Sequence, residues 1–212
     1  MMVPYLIAIA GGSGSGKSWL ADHLAEHLPA ILLPLDSYYR DLSQLELAAR
    51  AHQNFDVPEA LDWSLIEQHV GDLAKGFEVD KPVYDFATHT RLAAVERIRP
   101  GEFVLLEGFF ALYQEKVRSL CGARVFLWVE DPICLARRME RDMRHRGRTR
   151  ESVIAQYNGT VRPMYERYVL PTRAFADLVL YGEDPVEKLA AAVYAHIEQG
   201  GGSVVRPRRL SM

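Results

Sequence analysis

Residues 11–18 of this chain read GGSGSGKS, and this stretch decides the fold class. It matches the pattern G-x-x-x-x-G-K-[ST], whose glycines let the backbone turn tightly and aim several N–H groups at one phosphate chain. Lys17 adds a mobile charge for the outer phosphates, and the hydroxyl of Ser18 is a candidate ligand for Mg²⁺. The candidate triphosphate-binding residues are Gly11, Gly12, Ser13, Gly14, Ser15, Gly16, Lys17 and Ser18.

The sequence on either side of this loop favours the same interpretation. An apolar run of strand character, YLIAIA, occupies residues 5–10, and Leu20, Ala21, Leu24 and Leu28 recur at helical spacing after the loop. A strand, a glycine-rich loop and a helix in this order point the N-terminus of the helix at an anion. The alternative is a glycine-rich turn that binds nothing, and it explains neither the Lys-Ser ending nor the two flanks.

Length and composition are those of an ordinary globular protein. With 212 residues, 49% of them hydrophobic, the chain can bury a substantial core. We predict one domain over residues 1–199, followed by a flexible tail over residues 200–212 that carries three of the glycines. The formal net charge of −3 gives no general attraction to nucleic acid or to acidic membranes.

Targeting signals and cysteine usage predict the compartment. No apolar run approaches the ~20 residues needed to cross a bilayer, and no basic segment with a cleavage site precedes the first strand. Cys121 and Cys134 lack the spacing of a metal site or a redox motif, so we expect free thiols in a reducing compartment. We therefore predict a cytoplasmic protein that binds neither membranes nor nucleic acid.

Strand-like and helical segments alternate along the chain, which predicts an α/β fold: a parallel sheet with helices on both faces. Further strands are expected in four apolar runs, at residues 30–35, 103–106, 124–129 and 175–181. Residues 36–100 fit this alternation poorly. We interpret them as an insertion that contains a helix around residues 64–75 and a short hairpin.

Two acidic residues follow apolar strands at the sheet edge where this architecture places its chemistry. Asp36 and Glu107 each end such a strand, on the same edge as the phosphate loop. Ligands of open α/β sheets bind beyond the carboxyl ends of the strands, and carboxylates there can hold Mg²⁺ or orient a nucleophilic hydroxyl. The alternative, a helix cap or a solvated loop acid, is less favoured beside a phosphate loop.

Arginine is concentrated between residues 137 and 150, in one predicted helix and the turn after it. Arg138, Arg141 and Arg148 recur at about helical intervals, so part of the cluster can face one ligand. Guanidinium groups suit phosphate oxygens and charge that develops on a transferred phosphoryl group. The alternative, expected for about half of these arginines, is a solvated face paired with Glu140, Asp142 and Glu151. A nucleic-acid surface is a weaker candidate because the chain is slightly acidic and no aromatic residues interleave the arginines.

Several longer motifs together carry a family resemblance. The chain is similar to uridine kinases (uridine–cytidine kinases), in the phosphoribulokinase-like branch of P-loop kinases. The resemblance extends nearly to the last predicted strand and rests on these segments: LDSYYRDLS at 35–43, NFDVPEALD at 54–62, KPVYDFATHTR at 81–91, LLEGFFALY at 105–113, RRMERDMRHRGR at 137–148 and QYNGTVRPMYERYVLPT at 156–172.

The resemblance implies a role for each matching residue. Asp36 corresponds to the acid that accepts or orients the proton of the nucleoside 5′-hydroxyl, and Lys17 belongs with it in the catalytic set. Arg138 and Arg146 correspond to lid arginines over the phosphates, and Ser18, Asp36 and Glu107 correspond to the Mg²⁺ shell. The residues implied to bind the nucleoside are Asp36, Asp56, Tyr84, Phe86, His89, Arg141, Arg148 and Gln156.

Within that set the resemblance assigns particular contacts. Asp56 and Arg141 match positions that bind the ribose hydroxyls, and Tyr84, Phe86 and His89 match a pocket that packs on the pyrimidine and reads its 4-position. Taken singly, such aromatic residues are ordinarily core residues, and a histidine is ordinarily a core or surface residue. Their joint match to one motif supports the binding role.

The function implied is phosphorylation of the 5′-hydroxyl of uridine, and of cytidine, by ATP or GTP with Mg²⁺, in pyrimidine salvage. A homo-oligomer, specifically a homotetramer, is implied by the resemblance alone. One alternative is a kinase of the same branch acting on another small alcohol, such as a phosphorylated sugar, which needs a phosphate site in place of the aromatic pocket. A non-catalytic nucleotide-binding regulator is the other, although the N-K-x-D motif of a GTPase is absent from the sequence.

Overall fold

The computed structural model describes residues 3–200. Its main sheet is parallel, with the spatial order β2-β5-β1-β6-β7. A second, two-stranded antiparallel sheet contains β3 and β4. The strands are β1 Tyr5–Gly11, β2 Ala30–Pro34, β3 Val79–Asp85, β4 Thr90–Ile98, β5 Phe103–Glu107, β6 Ala123–Trp128 and β7 Leu178–Tyr181.

Helices connect the strands and cover the sheet. The α-helices are α1 Lys17–His27, α2 Leu47–Ala51, α3 Trp63–Ala74, α4 Glu115–Arg118, α5 Asp131–Arg146, α6 Arg150–Gln156, α7 Arg162–Met164 and α8 Val186–Gln199. Two π-helical turns, Tyr157–Val161 and Tyr165–Val169, flank α7 and join it to α6 on one side and to a 3₁₀ turn, Leu170–Phe175, on the other.

Alternation along β1 explains why both faces of the sheet are covered. Successive strand side chains point to opposite faces, and every residue of this strand after Tyr5 is buried. Leu6 and Ala8 belong to a core shared with α3, whereas Ile7 and Ile9 belong to a second core shared with α1 and α8. The predicted α/β fold with helices on both faces is confirmed.

The insertion predicted at residues 36–100 contains both expected elements, the helix α3 and the hairpin of β3 with β4. Two predicted strand boundaries are wrong. Leu35 does not end β2 but begins a 3₁₀ turn, Leu35–Tyr38, which places Asp36 beyond the strand. The last strand begins at Leu178 and not at residue 175, because the 3₁₀ turn Leu170–Phe175 precedes it.

Three sequence predictions concern the C-terminal tail, membrane-spanning segments and the cysteines. The predicted tail falls, apart from Gly200, on residues 201–212, which lie outside the described residues. Within residues 3–200 no helix combines the length and apolar character needed to span a membrane. Cys121 and Cys134 are free thiols, as expected from their spacing.

Candidate active site

The loop between β1 and α1 has the backbone conformation that the motif requires. Gly14 and Gly16 have φ angles of +87° and +92°, in the left-handed region that favours glycine. A Cβ atom on Gly14 would also collide with the carbonyl oxygen of Cys134, so α5 closes on the loop from one side. Helix α1 begins at Lys17, directly after Gly16, and its N-terminal N–H groups therefore face the loop.

Glu107, the last residue of β5, lies beside the start of α1. The hydroxyl of Ser18 donates to its Oε1 atom at 3.1 Å, and Nζ of Lys17 lies 3.8 Å from the same oxygen. Burial raises the pKa of the Glu107 carboxyl, while the charge of Lys17 opposes that shift. The three side chains form one connected group under the phosphate loop.

The oxygen atoms at this edge fit Mg²⁺ better than a transition metal. Within residues 3–200, no cluster of three or more histidine, cysteine or acidic side chains is arranged to hold a metal ion. The available donors are the Ser18 hydroxyl and the carboxylates of Glu107 and Asp36. Mg²⁺ is ordinarily held by one or two carboxylates together with substrate phosphates and water, so a sparse oxygen set of this kind suits it.

A cavity of about 740 Å³ opens beside the phosphate loop. Asp36 lines it from an exposed turn, and in the described part of the chain its carboxylate forms no hydrogen bond or ion pair. The residues predicted from the sequence that line this cavity are Ser13, Lys17, Asp36, Asp56, Tyr84, Phe86, His89, Arg138, Arg141, Arg146, Arg148 and Gln156. Ser18, Glu107 and the loop glycines are not among its lining residues.

One wall of the cavity is aromatic: Tyr84, Phe86 and His89 come from the β3–β4 hairpin, and Tyr39 and Phe55 come from earlier in the chain. The rings of Tyr84 and Phe86 meet edge-on at 5.2 Å, and Tyr39 lies 5.5 Å from Tyr84. His89 stacks on Phe55 with ring centroids 4.7 Å apart. Together these five rings, the aromatic slot, give the cavity a surface on which a planar aromatic ligand can pack.

Two polar residues of this wall, Tyr84 and His89, have unusual environments or conformations. Within residues 3–200 the Tyr84 hydroxyl is buried without a hydrogen-bond partner, and burial raises its pKa to about 12. His89 has a φ of +55°, a strained conformation for a residue with a side chain, and such strain concentrates at functional sites. Burial lowers the pKa of His89, which keeps its imidazole neutral near pH 7. The imidazole of His89 is therefore available to meet polar atoms of a ligand, whereas the Tyr84 hydroxyl, which is enclosed by protein, can do so only where binding uncovers it.

Asp56 occupies the other side of the cavity. Its Oδ2 accepts from the hydroxyl of Thr160 at 3.3 Å, and that hydroxyl also lies 3.1 Å from the backbone oxygen of Gln156. Burial raises the pKa of the Asp56 carboxyl, and the positive charge of Arg138 opposes this. The π-helical turn that begins at Tyr157 places Thr160 in this contact.

The arginine cluster is organised around one buried carboxylate. Asp142 has 0% exposure, and its two oxygens lie 2.9 to 4.0 Å from the nearest guanidinium nitrogens of four arginines. These arginines, all of which line the cavity, are Arg138, Arg141, Arg146 and Arg148. The solvated-face alternative is therefore wrong for Arg138, which is buried, and right for Arg144, which is exposed and paired with Glu140 at 3.3 Å.

Two of the arginines also connect the cluster to its surroundings. Arg138 donates to Oγ of Ser13 in the phosphate loop at 2.8 Å and to Oε1 of Gln156 at 2.9 Å. Arg148 donates to the same Gln156 oxygen. Burial lowers the pKa of Arg138, and the charge of Asp142 counteracts this shift. The phosphate loop, α5 and α6 thus share one polar network.

Several residues that line or support the cavity were not predicted from the sequence. Phe55 stacks on His89, and Tyr39, Ala87, Phe109 and His145 line the cavity without having been assigned to it. Asp142 was assigned to a solvated face, although its spacing of four residues from both Arg138 and Arg146 was a usable signal. Thr160 and Asp56 are 104 residues apart in the sequence, and no local sequence pattern predicts their contact.

Proteins of known family are similar to this chain in sequence. A family model described as the phosphoribulokinase / uridine kinase family matches residues 6–185. A uridine kinase of Deinococcus deserti is 43% identical over 180 residues, which cover 84% of this chain and 87% of that protein. A uridine kinase of Lactobacillus helveticus is 39% identical over 181 residues, with 84% and 86% covered. This chain belongs to the phosphoribulokinase/uridine kinase family.

Solved structures agree with this assignment at the level of the fold. The phosphoribulokinase of Rhodobacter spheroides superposes with a TM-score of 0.62 at 15% identity, covering 87% of this chain and 74% of that one. The D-glycerate 3-kinase of Cryptococcus neoformans gives 0.60 at 18% identity, with 79% and 80% covered. The resemblance read from the motifs and the expectation of a phosphotransferase of the P-loop kinase class are confirmed.

Proposed function

We propose that this protein transfers the γ-phosphoryl group of ATP or GTP to the 5′-hydroxyl of uridine and of cytidine. The observation that carries the proposal is a single cavity of about 740 Å³ that joins the phosphate loop to an aromatic slot. Lys17 and Ser13 line its phosphate end, and Tyr84 and His89 line the other. The names of the uridine kinases that resemble this chain support the same acceptor.

The acceptor end suits a pyrimidine nucleoside. The Tyr84 hydroxyl, protonated at neutral pH, lacks an acceptor, and where binding uncovers it a carbonyl oxygen on the edge of a pyrimidine ring can accept from it. A neutral His89 can donate from one ring nitrogen and accept at the other, so it can meet either the 4-oxygen of uridine or the 4-amine of cytidine. Asp56 and Arg141 are the proposed contacts of the ribose hydroxyls.

The transfer step uses groups at the junction of the two ends. Asp36 carries a carboxylate with no hydrogen bond or ion pair in the described residues, and we assign it to accept the proton of the 5′-hydroxyl and to align its oxygen. Lys17, Arg138 and Arg146 offset charge on the donor phosphates and on the transferred group. Ser18, Glu107 and Asp36 would hold Mg²⁺, which when bound neutralises negative charge on the outer phosphates.

The aromatic slot disfavours the alternative acceptors. A kinase of phosphorylated sugars needs a charged site where this chain has Tyr84, Phe86 and Phe55. Adenosine and guanosine are proposed to be poor acceptors, in keeping with the uridine kinases that resemble this chain. We also propose a cytoplasmic location, in keeping with two free thiols, and a homotetramer, which light scattering on the purified protein measures.

The deciding experiment is donor-dependent ADP release across a panel of acceptors: uridine, cytidine, adenosine, guanosine and a sugar monophosphate. We expect turnover with uridine and cytidine and little with the purine nucleosides. Equal kcat/KM values for adenosine and uridine would contradict the proposal. Omitting Mg²⁺ and repeating the assay with GTP as donor test the metal and the donor separately.

A further inference from the structure

Asp142 has no place in the transfer step described above, yet it is the best-connected charged group of the described residues. It does not line the cavity, so no substrate touches it. Its oxygen Oδ1 lies 2.9 Å from a nitrogen of Arg141 and 3.5 Å from one of Arg146. Its oxygen Oδ2 lies 3.4 Å from Nε of Arg138 and 4.0 Å from Nη1 of Arg148.

The backbone of α5 explains how one residue reaches four arginines. Arg138 and Arg146 stand one helical turn before and after Asp142, on the same face of the helix. Gly147 then ends the helix with a φ of +60°, and its N–H donates to the backbone oxygen of Asp142. The N–H of Arg148 donates to that same oxygen at 3.2 Å, so the chain folds back and returns Arg148 to the cluster.

Four guanidinium groups at such short range repel one another, most strongly where water is excluded. Without a central anion the four side chains would spread apart and lose their common alignment. A buried carboxylate counteracts this repulsion by its charge: it accepts a hydrogen bond from Arg141 and lies 3.4 to 4.0 Å from nitrogens of the other three guanidinium groups, whose remaining N–H groups are directed elsewhere. Arg138 illustrates this, since its two Nη atoms reach Ser13 and Gln156 while Nε faces Asp142.

We propose that Asp142 is a positioning residue that gathers Arg138, Arg141, Arg146 and Arg148 into one array for the transferred phosphoryl group. The proposal rests on the kinase function proposed above, and it assigns Asp142 an indirect role. An ordinary structural ion pair would affect only stability. A positioning anion also sets how strongly the array holds phosphates and how well it matches the transition state.

The test variant is Asp142→Asn, which keeps the shape and removes the charge. Its kcat should fall about 10- to 100-fold, because the arginines lose their alignment on the transferred group. Its dissociation constant for inorganic tripolyphosphate, measured by calorimetry, should fall about 3- to 10-fold, because the array gains one net positive charge. Arg144→Gln on the exposed face of α5 is the matched control, with kcat and tripolyphosphate affinity as in the wild type.

A double variant, Asp142→Asn with Arg146→Gln, keeps the test decisive if the single variant folds poorly. Removing one guanidinium restores the charge balance, so thermal stability and tripolyphosphate affinity should return toward wild-type values while kcat stays low. Two results would overturn the proposal: a wild-type kcat in Asp142→Asn, or a decrease in tripolyphosphate affinity that accompanies the decrease in kcat. Opposite shifts, with tripolyphosphate affinity rising and kcat falling, support it.

If the wild type phosphorylates no acceptor, the proposed function fails. The tripolyphosphate measurement alone still decides whether Asp142 organises the arginine array.

Discussion

The hydroxyl of Tyr84 provides a test in which stability and activity respond differently to one oxygen atom. It is buried and, within residues 3–200, without a hydrogen-bond partner. An unpaired buried donor costs about 1–3 kcal/mol of desolvation, so Tyr84→Phe should leave the free energy of unfolding unchanged or raise it by about 1 kcal/mol. If a bound pyrimidine accepts from this hydroxyl, the variant loses a neutral hydrogen bond of about 0.5–1.5 kcal/mol in the complex.

That loss predicts a fall in kcat/KM for uridine of about 2- to 12-fold, at roughly 1.4 kcal/mol for each factor of ten. The assay is steady-state ADP release with uridine varied, next to thermal unfolding of the same preparation. The pKa of about 12 keeps the hydroxyl protonated over the whole working range, so the ratio of variant to wild type should not change between pH 6.5 and 8.5.

Two other tyrosines serve as controls. The hydroxyl of Tyr194, on α8, is also buried without a partner in the described residues, so Tyr194→Phe should match the stability result with unchanged activity. The hydroxyl of Tyr157 donates to Asp131 at 2.8 Å, so Tyr157→Phe should lose about 1.5–3 kcal/mol of stability, the range for a hydrogen bond to a charged group. A Tyr84→Phe enzyme with wild-type kcat/KM, or one destabilised as much as Tyr157→Phe, would refute the assignment of this hydroxyl to the nucleoside.

The remaining predictions concern charge and pH. Asp36→Asn should lower kcat by roughly 10² to 10⁴ with little loss of stability, and a change confined to KM would show that Asp36 only binds substrate. Lys17→Ala should lower kcat at least ~10²-fold, because the outer phosphates lose a positive charge. It should also destabilise the fold, because the buried Glu107 carboxylate loses its cation. Near-normal kcat in folded protein would contradict the assignment of the phosphate loop. Burial lowers the pKa of His69, whose Nδ1 lies 3.0 Å from the Tyr38 hydroxyl, so the unfolded chain binds a proton below pH ~6.5 that the folded chain does not. The free energy of unfolding should therefore be at its full value above pH ~6.5 and fall as the pH drops toward the folded pKa, and denaturant titrations of His69→Gln should show a flatter dependence; an equal slope in both proteins rules this out.

The elements that were predicted correctly depend on short stretches of sequence. The phosphate loop is set by its glycines, since a left-handed backbone at Gly14 and Gly16 is a local requirement. The helix Trp63–Ala74 follows from the helical spacing of its buried residues Ile66, Val70 and Leu73. The strand boundaries at Leu35 and Phe175 were wrong because an apolar residue at a strand end reads the same in a strand and in a 3₁₀ turn.

The amino-acid sequence by itself therefore determined the phosphate loop, the alternation that makes the α/β fold and, through joint motifs, the membership of the kinase family. Only the tertiary structure decided which polar groups are buried and what they meet. Asp142 and Glu140 are both acids near arginines on one helix, yet one is fully buried and the other is exposed. The hydroxyl of Tyr84 lacks a partner for a similar reason. Burial depends on segments distant in the chain that pack over a residue, and no local pattern contains that information.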